Sequence, residues 1–184
     1  MKQLPLGLRD YLPNEINHRN KLFKIMQTIV ESNGYQRIKT PSMEHFDRIQ
    51  DALGKELSNN CITFFDGLGS RLVLRPDHTT PIARIVASRL SNELPIKLYY
   101  FDPVFRKDSL LGETEIFQFG CEHIGSLTIQ DEVDLVTNIL NICNALSFSD
   151  VQLHLSHPDL FRFKDVLHKA FELLNWMILT KLCL

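Results

Sequence analysis

The chain has 184 residues, of which 44% are hydrophobic and 23% charged, and a formal net charge of −2. That balance fits one globular domain, or a large piece of one, and excludes a disordered or fibrous chain. It also supplies no overall basic field to attract nucleic acid. Cys61, Cys121, Cys143 and Cys183 are too dispersed for a CxxC zinc site or a dense disulfide framework, so small core residues are the expectation.

Pro13 to Ser32 reads as a helix, with Ile16, Phe23, Met26 and Val30 at helical spacing, Pro13 at the first turn and Gly34 as the stop. Tyr35 to Thr40 alternates like a strand closed by Pro41. Ile62–Asp66 and Arg71–Arg75 form an expected hairpin turning at Gly67 and Gly69. Thr79 or Thr80 is expected to cap a helix running to about Leu90, with Pro81 at its first position and Ile82, Ile85, Val86 and Leu90 inward. Lys97–Arg106 and Glu115–Ile124 form a second strand pair. Asp131–Leu146 is a helix with Val133, Val136, Ile139, Leu140 and Cys143 on one side. Val151–Leu155 reads as a strand, and Pro158 opens a last helix.

This order lacks the strict βα alternation of a parallel doubly wound sheet. It predicts an α+β fold: an antiparallel sheet flanked by helices. Residues 1–172 form the expected domain. Residues 173–184 are an atypical apolar tail, too short for the ~20 residues of a membrane span, and suggest a chain incomplete at its C-terminus. Without an apolar leader the expected location is the cytoplasm.

Three segments, in order and spacing, resemble the histidyl-tRNA synthetase group of class II aminoacyl-tRNA synthetases. Gly34-Tyr35-Gln36-Arg37-Ile38-Lys39-Thr40-Pro41, with Glu44 after it, is similar to motif 1. Leu74-Arg75-Pro76-Asp77-His78-Thr79 is similar to the family's LRPEGT loop. Phe105-Arg106 through Gln118-Phe119-Gly120-Cys121-Glu122 is similar to motif 2 and the strand after it. The opening Leu6–Pro13 also fits. The resemblance implies a class II catalytic-core fold. It places Asp77, Thr79, Gln118 and Glu122 around the amino group of histidine and Arg106 at its carboxylate. The chemistry suits those roles: an ammonium wants a carboxylate and neutral oxygens, and a guanidinium pairs bidentately with an anion. Gln118 and Glu122 lie four apart, hence on one face of a strand.

The motif 2 segment departs from the synthetases. A basic GR-x-R stretch is replaced by Gly112-Glu113-Thr114-Glu115, and Lys107 stands against Asp108, Glu113 and Glu115. Such a loop repels a triphosphate. Arg75 to Pro81 and Ala83–Ala87 are similar to a paralogous group, the regulatory subunits of ATP phosphoribosyltransferase. Membership there implies no catalytic residue and no cofactor. It also implies a short-form phosphoribosyltransferase partner, a homodimer through the motif 1-like segment, histidine as effector, and no role for tRNA. The alternative is a divergent or truncated histidyl-tRNA synthetase. Seven histidines raise a metal site, but His154 and His157 lack a third ligand, so none is expected. Ser156, His157 and Asp159 are mere sequence neighbours, which is not how triads form.

Overall fold

A computed structural model describes residues 4–107, 112–125 and 128–152. The helix α1 spans Pro13–Ser32 and buries Met26 and Val30. Strand β1 is Gln36–Arg37, shorter than the expected Tyr35–Thr40. One further bond, from Ile38 N–H to the Tyr99 carbonyl at 2.9 Å, continues it. Strand β2, Met43–His45, and helix α2, Phe46–Asn59, follow. Neither is among the sequence-predicted elements. The strand is only three residues long, and Gly54 interrupts the helix with φ of +71°. That break splits the helical periodicity into two short runs, although Phe46, Ile49 and Leu53 are buried.

The first hairpin is β3, Thr63–Phe65, and β4, Arg71–Leu74. The carboxylate of Asp66 holds its turn by accepting from the Leu68 and Ser70 amides at 2.9 and 2.8 Å. Helix α3, Thr79–Ile85, continues as a π-helical turn over Val86–Leu90. It buries Ile82 and Val86. The long hairpin is β5, Ile96–Phe105, and β6, Glu115–Ile124, paired along ten residues. Helix α4, Ile129–Ala145, starts at a capping box between Thr128 and Asp131.

Among the described residues there are two three-stranded sheets, ordered β1-β5-β6 and β2-β4-β3, in which the β1–β5 pair is parallel and the other pairs are antiparallel. One face of the long hairpin packs Tyr99, Phe119 and Cys121 against Met26 and Val30 of α1 and Ile142 of α4. The other face carries Leu98 and Tyr100, covered by Ile82 of α3 and Val86 of the π-helical turn. The buried side of α4 agrees with expectation in part: Cys143 is buried as expected, Val133 is 50% exposed, and the unexpected Asn138 and Ile142 are buried.

Among the described residues no helix is long and apolar enough to cross a membrane. Cys61 and Cys143 are buried and free, and Cys121 is half-buried and free. Val151 and Gln152 are not in a strand. The rest of the expected Val151–Leu155 strand, the helix from Pro158, His154, His157, Cys183 and the 173–184 tail lie outside the described residues.

Candidate functional site

The long hairpin fixes the geometry. Its register sets Asp102 opposite Gln118, Tyr100 opposite Gly120 and Leu98 opposite Glu122. Alternation therefore puts all six on the face opposite the one packed on α1 and α4. The segment from Arg75 to Thr79 lies along this hairpin. Phe105 N–H donates to the Arg75 carbonyl at 2.9 Å, and Arg106 Nε donates to the Pro76 carbonyl at 2.8 Å. The His78 ring stacks on Tyr100 at 4.1 Å between centroids. Its Nε2 lies 3.0 Å from the Asp102 carbonyl.

Beneath this segment Arg75 is 1% exposed. Its Nη1 donates to the carbonyl and hydroxyl of Thr40, at 2.9 and 3.0 Å, and its Nη2 to the Pro103 carbonyl at 2.6 Å. One planar guanidinium thus ties three chain segments together.

Two expected site residues meet directly: the Thr79 hydroxyl donates to Glu122 Oε1 at 2.7 Å. Gln118 shares their sheet face, and its Oε1 is buried without a hydrogen-bond partner. The Asp77 carboxylate accepts from the Thr80 amide and hydroxyl at 2.8 and 3.1 Å. Asp77 thereby caps α3, the role expected of Thr79 or Thr80. The charged oxygens are the better acceptors there, and the Thr79 hydroxyl is engaged by Glu122. Pro81 accordingly falls third in the helix rather than first. Arg106 lies at the end of β5, with its Nε held by Pro76.

The electrostatics suit a cation. Burial raises the Glu122 carboxyl above its ordinary value and the charge of Asp77 adds to this, while the Thr79 hydrogen bond opposes it. Burial, then the charge of Glu122, raises the Tyr100 phenol. The same two causes push the Cys121 thiol up to about 12, so it stays protonated. Burial, then Arg75, lowers His78 to about 4, so this ring is neutral at pH 7. A bound ammonium would relieve the crowding of negative charge between Glu122 and Asp77.

Gly120 completes the floor. A Cβ at this position would fall within 3.0 Å of the Tyr100 hydroxyl, Cζ and Cε2, so only glycine lets the phenol cross β6. Tyr100, His78, Asp102 and Gly120 are site neighbours that sequence reasoning missed. Period-two alternation places Gly120 with Gln118 and Glu122. The β5 partners follow only from the hairpin register, which the sequence leaves open.

The motif 2-like segment meets the N-terminal stretch that precedes α1. Thr114 N–H donates to the Gly7 carbonyl at 2.7 Å. Gly7 has φ of +77°, and a Cβ there would collide with Thr114. Glu113 lies 3.8 Å from Arg9, which is also 3.6 Å from Glu15. The negative charge of Glu113 is therefore partly balanced by Arg9. Asp108 lies outside the described residues. A cavity of about 500 Å³ opens on the opposite sheet face, lined by Arg9, Tyr11, Arg19, Phe101 and Phe117 among others. It is remote from the acceptor cluster and is not the candidate site. No group of three or more His, Cys, Asp or Glu side chains among the described residues is placed to hold a metal ion.

A family model described as histidyl-tRNA synthetase matches residues 7–172. The chain is 34% identical over 178 residues to a histidine–tRNA ligase of Pyrobaculum calidifontis, covering 90% of this chain and 42% of that protein. It is 33% identical over 178 residues to an ATP phosphoribosyltransferase regulatory subunit of Carboxydothermus hydrogenoformans, covering 95% and 52%. The chain thus spans about half the length of these curated relatives. A Bacillus halodurans crystal structure described as an ATP phosphoribosyltransferase regulatory subunit/histidyl-tRNA synthetase superposes with a TM-score of 0.78. It shares 26% identity over 96% of this chain and 52% of that one.

Proposed function

Because the chain belongs to the histidyl-tRNA synthetase family, we propose that it acts as a non-catalytic regulatory subunit. Its partner is a short-form ATP phosphoribosyltransferase in the first step of histidine biosynthesis, in the cytoplasm, and it senses histidine through Asp77, Thr79, Arg106, Gln118 and Glu122. One observation carries this reading. Thr79 and Glu122 are joined at 2.7 Å, on the same sheet face as the unpartnered oxygen of Gln118, while the adjoining motif 2-like segment carries Glu113 and Glu115 and no arginine after Arg106. Groups suited to an ammonium are present, whereas the cations suited to a triphosphate are sparse. The similarity to regulatory subunits supports the assignment. A homodimer through the motif 1-like segment, Gly34 to Pro41, belongs to the same reading.

The test is to mix the chain with a short-form phosphoribosyltransferase and follow turnover with and without histidine. Stimulation, with no histidine-dependent ATP–pyrophosphate exchange by the chain alone, is the expected result. Absence of stimulation rejects the assignment. A second reading, a divergent histidine-activating enzyme, draws on the ligase relative and on Arg106, with Arg9 as a nearby cation. Exchange that disappears in Arg106→Ala would favour it.

A further inference from the structure

We propose that Asp102 is a fifth acceptor of this pocket, which together with Gln118 receives an N–H of the ligand's primary amine. The proposal rests on the reading of the site as an amino-group pocket.

Asp102 and Gln118 are direct cross-strand partners in the β5–β6 hairpin. Opposed side chains on one face lie about 5 Å apart at Cβ. Asp102 is only 9% exposed, yet its Oδ2 is buried without a partner, as is Oε1 of Gln118. Oδ1 has only a loose partner, Lys39 Nζ at 3.7 Å, whose own side chain is 71% exposed. Oε1 of Gln118 cannot donate to Oδ2 of Asp102, and a buried carboxylate oxygen without a donor is costly. The other polar groups of this face do not supply the donor. The Thr79 hydroxyl is spent on Glu122, Arg106 Nε on Pro76, and the Arg75 guanidinium on Thr40 and Pro103. No protein group lies within hydrogen-bonding distance of Asp102 Oδ2, and a ligand N–H is the donor assigned to it. A primary ammonium brings three N–H groups and a positive charge, which suit the unpartnered oxygens of Asp102 and Gln118. An anion satisfies neither requirement, and a neutral ring N–H supplies a donor without the charge.

The experiment is calorimetric binding to the full 184-residue chain. Histidine is compared with its amine-free analogue, imidazolepropionate, for wild type, Asp102→Asn and Glu122→Gln, with circular dichroism as the folding control. The readout is the ratio of the two affinities, which a merely structural defect would not change, because it weakens both ligands alike. Wild type should prefer histidine, and Asp102→Asn should reduce that preference about tenfold, as expected for loss of one charge-assisted hydrogen bond. If Glu122→Gln reduces the preference while Asp102→Asn leaves it unchanged, Asp102 is not an acceptor, although the amino-group pocket stands. If wild type does not prefer histidine, the pocket reading fails and this proposal with it.

Discussion

His78 is held between Tyr100 and the Asp102 carbonyl, and burial keeps its ring neutral down to about pH 4, against an ordinary value of 6.5. Between those two values the unfolded chain takes up a proton that the folded chain refuses. The depressed value therefore contributes stability above pH 6.5, and that stability is lost as pH falls toward 4. At one pKa unit per 1.36 kcal/mol the whole difference is about 3 kcal/mol, of which about 2 kcal/mol is lost between pH 7 and pH 5. Urea unfolding at these two pH values, for wild type and His78→Gln, isolates the contribution. The glutamine keeps an amide donor for Asp102 and does not titrate. Wild type should lose about 2 kcal/mol more than the variant over this interval. Equal losses in both proteins would refute the claim that His78 is buried as a neutral ring.

Three other outcomes follow from the same geometry. Gly120→Ala drives a methyl into the Tyr100 ring; overpacking of ~1–3 kcal/mol, offset by ~0.4–1 kcal/mol from the stiffer unfolded chain, should lower Tm by a few degrees. A Tm at or above wild type would show that Tyr100 does not fill that space. Glu122→Gln should weaken histidine binding about tenfold or more, yet raise the stability of the ligand-free chain at pH 7. The raised carboxyl is a stabilising group only when protonated, and its contribution fades as pH rises through the folded value. Thermal melts that fall together with affinity would contradict this. Arg75→Lys keeps the charge but not the fork that binds Thr40 and Pro103, and should cost on the order of 3 kcal/mol in chemical denaturation.

The long elements were legible because each carries its own signal. Pro13–Ser32 has a helical stripe bounded by proline and glycine, and Glu115–Ile124 is a continuous strand pattern. The α+β class follows from their order. The segment 43–59 was not legible, because Gly54 breaks its helix and β2 has only three residues. The short parallel pairing of Gln36–Arg37 with Leu98–Tyr99 was also hidden, since it is set by a neighbour some sixty residues away. At the site, residues on one strand could be grouped by alternation, as Gln118 and Glu122 were. Asp102 and Tyr100 could not be added, because the cross-strand register depends on the loop between the strands. The capping role of Asp77 was missed for a related reason: whether Thr79 is free to cap depends on Glu122, forty-three residues on.

Arg75 gives the segment that follows it an unusual kind of attachment. The amide of Arg75 is bound by the Ser42 carbonyl and its carbonyl by the Phe105 amide, while its side chain grips Thr40 and Pro103. The 75–79 segment is therefore anchored as a lever at its fulcrum rather than hung as a loop between two elements. Through Arg75 the 75–79 segment, which carries Asp77 and Thr79, shares one buried anchor with Thr40 and Pro41, at the far end of the motif 1-like segment.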